Sequence, residues 1–281
     1  MLQFKTPEYV KKLASLAGDP DRVSSKTYAQ IAASIQKLQS PNPEVTILII
    51  AFNEEENLLP TLASLAATES PYRTELLAVN NNSSDRTQEI LDRCGVKNVF
   101  EKRQGIGWAR QRGLESASAP IVVNGDADSI YPPTWSAFMA KPLQDSTVAV
   151  VYSRYSFIPG SSGNTAYLRL HESVGASIIA LRRRRADSSN VMGFSFAFRK
   201  DDAMGVGGFP VNGKHRWEDG LLVHKLHKTG SIHLVRDPEA RVWTSDRRLL
   251  MDGSYFRAFL SRAKRHLRYM PDYLFFKNAE L

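Results

Sequence analysis

From Glu44 to Asn124 the chain alternates short apolar runs with segments of helical period. Val45 to Ala51 is an unbroken β-branched and aliphatic run, the pattern of a strand buried on both faces. Asn57 to Ala67 carries Leu58, Leu62 and Leu65 at helical spacing, which predicts a helix. The same alternation continues through a strand at Glu75–Val79, a helix at Asp85–Cys94, a strand at Val96–Glu101, a helix from about Gly107 to Ala117, and a fourth strand at Pro120–Asn124. A βαβαβαβ order predicts a parallel sheet with right-handed crossovers and a ligand crevice at the carboxyl ends of its strands.

Two further patterns precede this core. Segments at about Pro7–Ala17 and Thr27–Leu38 are helical in period, the second with Tyr28, Ile31, Ile35 and Leu38 on one face. Gly18-Asp19-Pro20-Asp21 separates them, and Pro41-Asn42-Pro43 separates both from the core. Beyond Pro142 the expectations are a strand at Val148–Tyr155, a long helix at Ala166–Leu181, a strand at Val191–Arg199, a glycine-rich turn at 205–210, a helix from near Trp217, and short strands at Ser231–Val235 and Arg241–Trp243. Ser254 to Tyr269 reads as a basic amphipathic helix. The division expected is a helical extension over 1–43, one α/β domain over 44–250, and a basic helix and tail over 251–281.

Composition narrows the setting. The chain has 281 residues with 42% hydrophobic and 23% charged, ordinary for a soluble globular protein. Val45 to Phe52, the longest apolar run, is too short to span a bilayer, and the charged N-terminus does not read as a secretory signal. A single cysteine, Cys94, fits a reducing compartment, so cytoplasmic residence is the expectation. A formal net charge of +8 points to an anionic partner. Much of the excess lies in Arg182–Arg185 and between Arg241 and Arg268. The basic C-terminal helix can lie peripherally on an anionic membrane face, or pack its Phe256, Phe259, Leu260, Ala263 and Leu267 side on the domain.

Candidate chemistry sits where the expected strands end. Strand one runs into Ala51-Phe52-Asn53-Glu54, strand two into Asn80-Asn81-Asn82-Ser83, and strand four into Asp126-Ala127-Asp128. After strand three come Gly105-Ile106-Gly107 and Arg110, whose backbone amides and guanidinium suit phosphate. Asparagine and serine groups suit a base edge and ribose hydroxyls, and two closely spaced carboxylates suit a divalent cation carrying phosphates. Asp126 and Asp128 taken alone also suit a turn and a helix cap. Gly208 to Lys214 has P-loop spacing, but His215 replaces the Mg²⁺-binding hydroxyl. Gly105-Ile106-Gly107 does not extend into a dinucleotide fingerprint. The six histidines show no tight metal spacing.

Taken in order, Ala51-Phe52-Asn53-Glu54-Glu55, Asn81 to Thr87, Gly107 to Gly113, Gly125 to Asp128, Gly193 to Arg199, Gly207-Gly208-Phe209 and Trp217-Glu218-Asp219 resemble glycosyltransferase family 2. The resemblance covers roughly residues 44 to 250 and implies an α/β fold of GT-A type, a mostly parallel nucleotide-binding sheet flanked by helices. It further implies an inverting glycosyltransferase that uses a nucleotide-diphospho-sugar donor with Mn²⁺ or Mg²⁺. By the same resemblance Asp128 binds the metal, Asp126 assists the nucleotide and Asp219 is the catalytic base. Ala51, Phe52, Asn53, Glu54, Asn81, Ser83, Gly105, Arg110, Asp126 and Ala127 then surround the donor nucleotide. Gly193, Trp217, Glu218 and Arg247 border the donor sugar or the acceptor.

Two departures shape the expectation. Many relatives carry Asp-Asp where this chain has Asn80-Asn81, so an amide would meet the base edge, with both donor and acceptor capacity. The Gln-x-x-Arg-Trp element of processive synthases is absent, which favours transfer of a single sugar. A UDP-linked donor is favoured; a GDP-linked donor with a lipid-linked acceptor is the alternative. A nucleotidyltransferase would carry a glycine-rich basic loop after strand one, which Ala51 to Glu56 lacks. A nucleic-acid-binding module leaves the strand-end acids unexplained, because carboxylates repel phosphate unless a metal intervenes.

Overall fold

The apolar runs become strands almost residue for residue in the computed structural model, which describes residues 6–158, 187–211, 218–245 and 247. In chain order the described elements are α1 (Glu8–Ala14), α2 (Ser25–Leu38), β1 (Val45–Ala51), α3 (Leu58–Leu65), β2 (Thr74–Asn80), α4 (Thr87–Arg93), β3 (Lys97–Phe100) and α5 (Ile106–Ser116). There follow β4 (Ile121–Asp126), β5 (Ser129–Ile130), α6 (Trp135–Ala140), β6 (Val148–Ser153), β7 (Tyr155–Ile158), β8 (Phe196–Arg199), α7 (Lys200–Gly205), α8 (Glu218–Leu226), β9 (Ser231–Val235) and β10 (Val242–Ser245).

The main sheet has seven strands in the order β3-β2-β1-β4-β8-β6-β9. β3, β2, β1 and β4 are mutually parallel, so their carboxyl ends share one edge. β8 runs antiparallel to β4, with Asn124 opposite Phe196. That reversal brings the turn before β8, which contains Gly193, to the edge where β4 ends. A small second sheet, β5-β10-β7, pairs Thr244 of β10 with Ser129, one residue past Asp128. It thereby carries the residues after β10 toward the end of β4.

Both faces of the main sheet are covered. Ile47 and Ile49 of β1 point into one core with Leu62 and Trp135, while Leu48 between them points into the other with Leu114, Phe196 and Leu222. Burial of each such side chain contributes roughly 1.5–3 kcal/mol, which explains why an uninterrupted apolar run is needed here. The helical extension docks through Tyr28, Ile31 and Ile35, and through Arg86, whose guanidinium donates to Asp19 at 2.8 Å and Asp21 at 2.7 Å. Among the described residues, no helix is long and apolar enough to cross a membrane.

Two sequence expectations need correction. Val148–Tyr155 is not one strand: the chain breaks at Arg154 and passes from the main sheet to the small one. Val191–Arg199 shortens to β8, because residues 193–195 form a turn whose closure is Ser195 N–H to the Met192 carbonyl at 3.0 Å. The helix expected at Ala166–Leu181, the basic run Arg182–Arg185 and the amphipathic segment Ser254–Tyr269 lie outside the described residues.

Far from the strand ends, Glu75 is buried at the start of β2. Its carboxylate accepts from Thr46 Oγ1 and Ser118 N–H at 2.6 Å each and from Lys97 Nζ at 2.7 Å. Burial alone would raise its pKa, but these bonds outweigh burial and hold the group below its ordinary 4.5. Because the folded value is depressed, the stabilisation is present above the ordinary value and is lost as pH falls through the folded one. Glu75→Gln should therefore cost about 1–3 kcal/mol at pH 7. In urea titrations that gap from the wild type should narrow as pH falls below 4.5; an unchanged gap would contradict this account.

Candidate active site

The carboxyl edge of β1, β2 and β4 carries the residues read from the sequence as a donor site. Ala51 ends β1 and is buried, while Phe52 beyond it is 43% exposed, an aromatic face open to a planar ligand. The loops after β1 and β2 are laced together. Asn53 N–H donates to Ser83 Oγ at 3.1 Å, Asn53 Oδ1 accepts from Ser84 N–H at 2.8 Å, and Glu55 N–H donates to Asp85 at 3.0 Å. Asn53 and Asn82 both have positive φ, 51° and 58°, a backbone state that asparagine tolerates better than most residues.

Asn81 does not project toward a base edge as expected. Its Nδ2 donates to the carbonyls of Glu101 (3.1 Å) and Arg103 (2.7 Å), and its Oδ1 accepts from Gly105 N–H at 2.9 Å. Both of its donor hydrogens and the Gly105 amide are thus occupied in holding the loop from β3 to α5. Asn80 is likewise engaged, with Gln88 Oε1 at 2.8 Å and Ser83 N–H at 3.0 Å. An aspartate at 81 would have no hydrogens for the two carbonyls, so the departure from Asp-Asp has a structural consequence.

The turn after β4 is tightly built. Gly125 is required there: a Cβ would stand 2.6 Å from both Ile49 Cδ1 and the Tyr131 hydroxyl. The Tyr131 hydroxyl accepts from Asp126 N–H at 2.8 Å and lies 3.1 and 3.2 Å from the Asp126 and Phe194 carbonyls. From α3, Thr61 Oγ1 lies 2.9 Å from the Ala127 carbonyl and 2.8 Å from that of Ser129, and accepts from Ser129 N–H at 3.2 Å. No motif marks Thr61 or Tyr131 in the sequence. Thr61→Val should destabilise the fold by about 1–3 kcal/mol by stranding buried backbone groups. Urea unfolding reads this directly, and a neutral result would remove Thr61 as a brace of the turn.

Asp126 and Asp128 are both nearly buried and stand at the mouth of this turn. Arg247 Nη2 reaches Glu54 Oε1 and lies 3.8 Å from Asp128 Oδ2, so one guanidinium spans the ends of β1 and β4. Asp126 instead faces the opposite layer, where Arg110 Nη2 donates to its Oδ1 at 2.9 Å. Arg110 is fully buried, so its guanidinium does not stand open to phosphate as the sequence suggested. Its Nε lies 3.8 Å from Glu218 Oε1, and its Cζ sits 5.5 Å from the Phe196 ring centre.

Glu218 and Asp219 open α8, where backbone N–H groups favour negative charge. Burial pushes the Glu218 carboxyl pKa up, and the neighbouring Asp219 charge adds to this against the pull of Arg110. Burial likewise raises Asp219, with Arg110 opposing. Gly193 completes the cluster. A Cβ there would collide with Arg110 Nη2 and stand 2.9 Å from Asp219 Oδ2. Trp217 lies outside the described residues.

The donor set can be tested against the expected cation. Among the described residues, no group of three His, Cys, Asp or Glu side chains converges as a self-sufficient metal cage. Two carboxylates on one tight turn fit Mg²⁺ or Mn²⁺, which take hard oxygen ligands and leave positions for phosphate and water.

Comparisons with known proteins agree with this architecture. The profile described as glycosyl transferase family 2 matches residues 46–206. A dolichol-phosphate mannosyltransferase of Pyrococcus furiosus is 30% identical over 179 residues, which is 61% of this chain and 50% of that protein. An uncharacterized glycosyltransferase of Mycobacterium tuberculosis is 42% identical over 84 residues, 30% of this chain and 36% of that protein. The chain thus spans half or less of the length of these curated relatives. Among solved structures, the mannosyltransferase PcManGT of Pyrobaculum calidifontis, in complex with GDP-Man and Mn²⁺, aligns with a TM-score of 0.56 at 18% identity, covering 91% of this chain and 76% of that one. TarS 1–349 of S. aureus in complex with UDP-GlcNAc aligns with a TM-score of 0.55 at 17% identity, covering 72% and 58%. These structures share the GT-A-type α/β fold expected from the sequence. With the profile running from the first strand through α7 on a sheet of this topology, the chain belongs to glycosyltransferase family 2.

Proposed function

We propose that this chain transfers one sugar from a nucleotide-diphospho-sugar, favoured as UDP-linked, to an acceptor hydroxyl with inversion. The observation that carries the reading is the convergence of two acid pairs on one sheet edge: Asp126 with Asp128 at the end of β4, and Glu218 with Asp219 at the start of α8, joined through Arg110. Phe52, with the laced loops around Asn53, Glu54 and Ser83, supplies a surface for the nucleoside. Asp128, with Asp126 beside it, would hold the divalent cation. When bound, that ion neutralises charge developing on the departing diphosphate. Arg247, already between Glu54 and Asp128, adds a further positive group at that side. Asp219, its proton affinity raised by burial, accepts the proton of the attacking hydroxyl. Glu218 and Gly193 border the same space.

A second reading has its own support. The P. furiosus relative is a dolichol-phosphate mannosyltransferase, and the P. calidifontis structure holds GDP-Man. A GDP-linked donor and a lipid-linked acceptor follow if those likenesses extend to specificity. Thermal-shift measurements with UDP and with GDP, each with and without Mn²⁺, separate the two. One nucleotide should stabilise the protein in a Mn²⁺-dependent way, by about 2.7 kcal/mol at a hundredfold excess over Kd. If neither does, the proposal fails.

A further inference from the structure

We infer that Arg110 is a positioning residue: a single buried guanidinium that sets Asp126 and the Glu218–Asp219 pair relative to each other, with Gly193 as the gap that admits it. The inference rests on the proposed function and deepens it. Four segments distant in sequence meet at this side chain: α5 supplies Arg110, β4 supplies Asp126, α8 supplies the acid pair, and the turn before β8 supplies Gly193.

Charge makes the arrangement necessary. Three carboxylates gathered in a desolvated corner repel one another, and each loses hydration. Arg110 opposes that repulsion from one point: Nη2 binds Asp126 at 2.9 Å while Nε faces Glu218 at 3.8 Å. Both raised carboxyls, Glu218 and Asp219, feel its charge as the principal opposing influence. A planar fork can address two carboxylates at fixed angles, which a lysine ammonium cannot do. The guanidinium lies near the Phe196 ring on one side and directly under Gly193 on another, so its place is set by packing as well as charge. Among the described residues Nη1 and Nε have no hydrogen-bond partner, and the polar groups that Nη2 and Nε address are these acids. Full burial keeps it beneath the site, and its effect on the reaction passes through Asp126 and Asp219.

The test uses the full chain, Arg110→Lys and Gly193→Ala, both of which keep the net charge. Gly193→Ala removes no hydrogen-bonding group and acts on the guanidinium by steric contact alone, and the melting temperature of each variant shows whether it folds. Two quantities are read: the Kd of UDP and GDP with Mn²⁺, and the rate at saturating donor at which UDP is released from UDP-glucose or GDP from GDP-mannose as the sugar passes to water. The expected result is a Kd within about threefold of wild type in both variants, with release slowed about 10²-fold, the scale of a misplacement near 1 Å. Arg110→Lys weakening nucleotide binding tenfold or more, with Gly193→Ala leaving it intact, would show that the guanidinium touches the diphosphate and overturn the inference. Wild-type release rates in both variants would overturn it too. Failure of the underlying reading looks different: the wild-type chain binds neither nucleotide with Mn²⁺ and releases neither.

Discussion

Asp219→Asn should abolish turnover, leave Mn²⁺-dependent nucleotide binding in place, and raise the melting temperature. The first effect follows from the role: an amide cannot take the proton of the attacking hydroxyl, and loss of a general base typically costs about 10²–10⁴-fold. The second follows from placement, because Asp219 stands at the start of α8 while the nucleotide-side acids sit after β4. The third follows from linkage. Burial raises the Asp219 pKa in the folded chain above its ordinary 3.8. A carboxyl with a raised folded pKa contributes stability that is full below the ordinary value and lost as pH rises through the folded one. At pH 7 the wild type therefore carries a buried charge that the asparagine variant does not. Differential scanning at pH 7 should show the variant higher, with the gap closing as pH falls toward the ordinary 3.8. A variant that keeps transferring sugar removes Asp219 from the role; a lower melting temperature with lost activity would instead point to a structural acid.

Asp128→Asn should show the opposite division. Here the nucleoside diphosphate loses its Mn²⁺-dependent stabilisation, which at a hundredfold excess of ligand amounts to about 2.7 kcal/mol. Release from the donor should fall by at least as much as for Asp219→Asn, since the metal's neutralisation of the leaving diphosphate is worth several kcal/mol. The fold itself should hold, because Thr61 and Tyr131 brace the turn through its backbone groups. Arg247 retains Glu54 as a partner, so its side chain is not stranded by the substitution. Isothermal titration with Mn²⁺ present and absent reads this cleanly. Equal nucleotide affinity in both conditions for wild type would dissociate the reaction from the metal.

The local pattern reached a long way. Val45–Ala51 is a strand with the bounds its run indicated, since its aliphatic residues pack into the cores on the two faces of the sheet and its one polar residue, Thr46, is satisfied by Glu75. Glu218 and Asp219 begin a helix where expected, and Asp126 closes the fourth strand with Asp128 two residues beyond it. What misled was side-chain direction. Arg110 lies on a helix whose sequence is mixed in character, so nothing local shows that this position turns inward. It is buried only where Asp126 of β4, Phe196 of β8, Glu218 of α8 and Gly193 come together around it. Asn81 looked like a base reader because residues at a strand end face the crevice. Its partners, the carbonyls of Glu101 and Arg103 and the amide of Gly105, lie twenty or more residues away and enter reach only when β3 pairs with β2.

The amino-acid sequence by itself determined the parallel half of the sheet, the location of the acids and the family, because apolar period and motif order are local properties of a chain. The tertiary structure alone decided which charges meet. β8 had to run antiparallel to bring Gly193 to the end of β4, and β10 had to pair with β5 to bring Arg247 to Asp128. Electrostatic energy depends on separations of a few ångströms between groups far apart in sequence, and those separations exist only after the strands have paired.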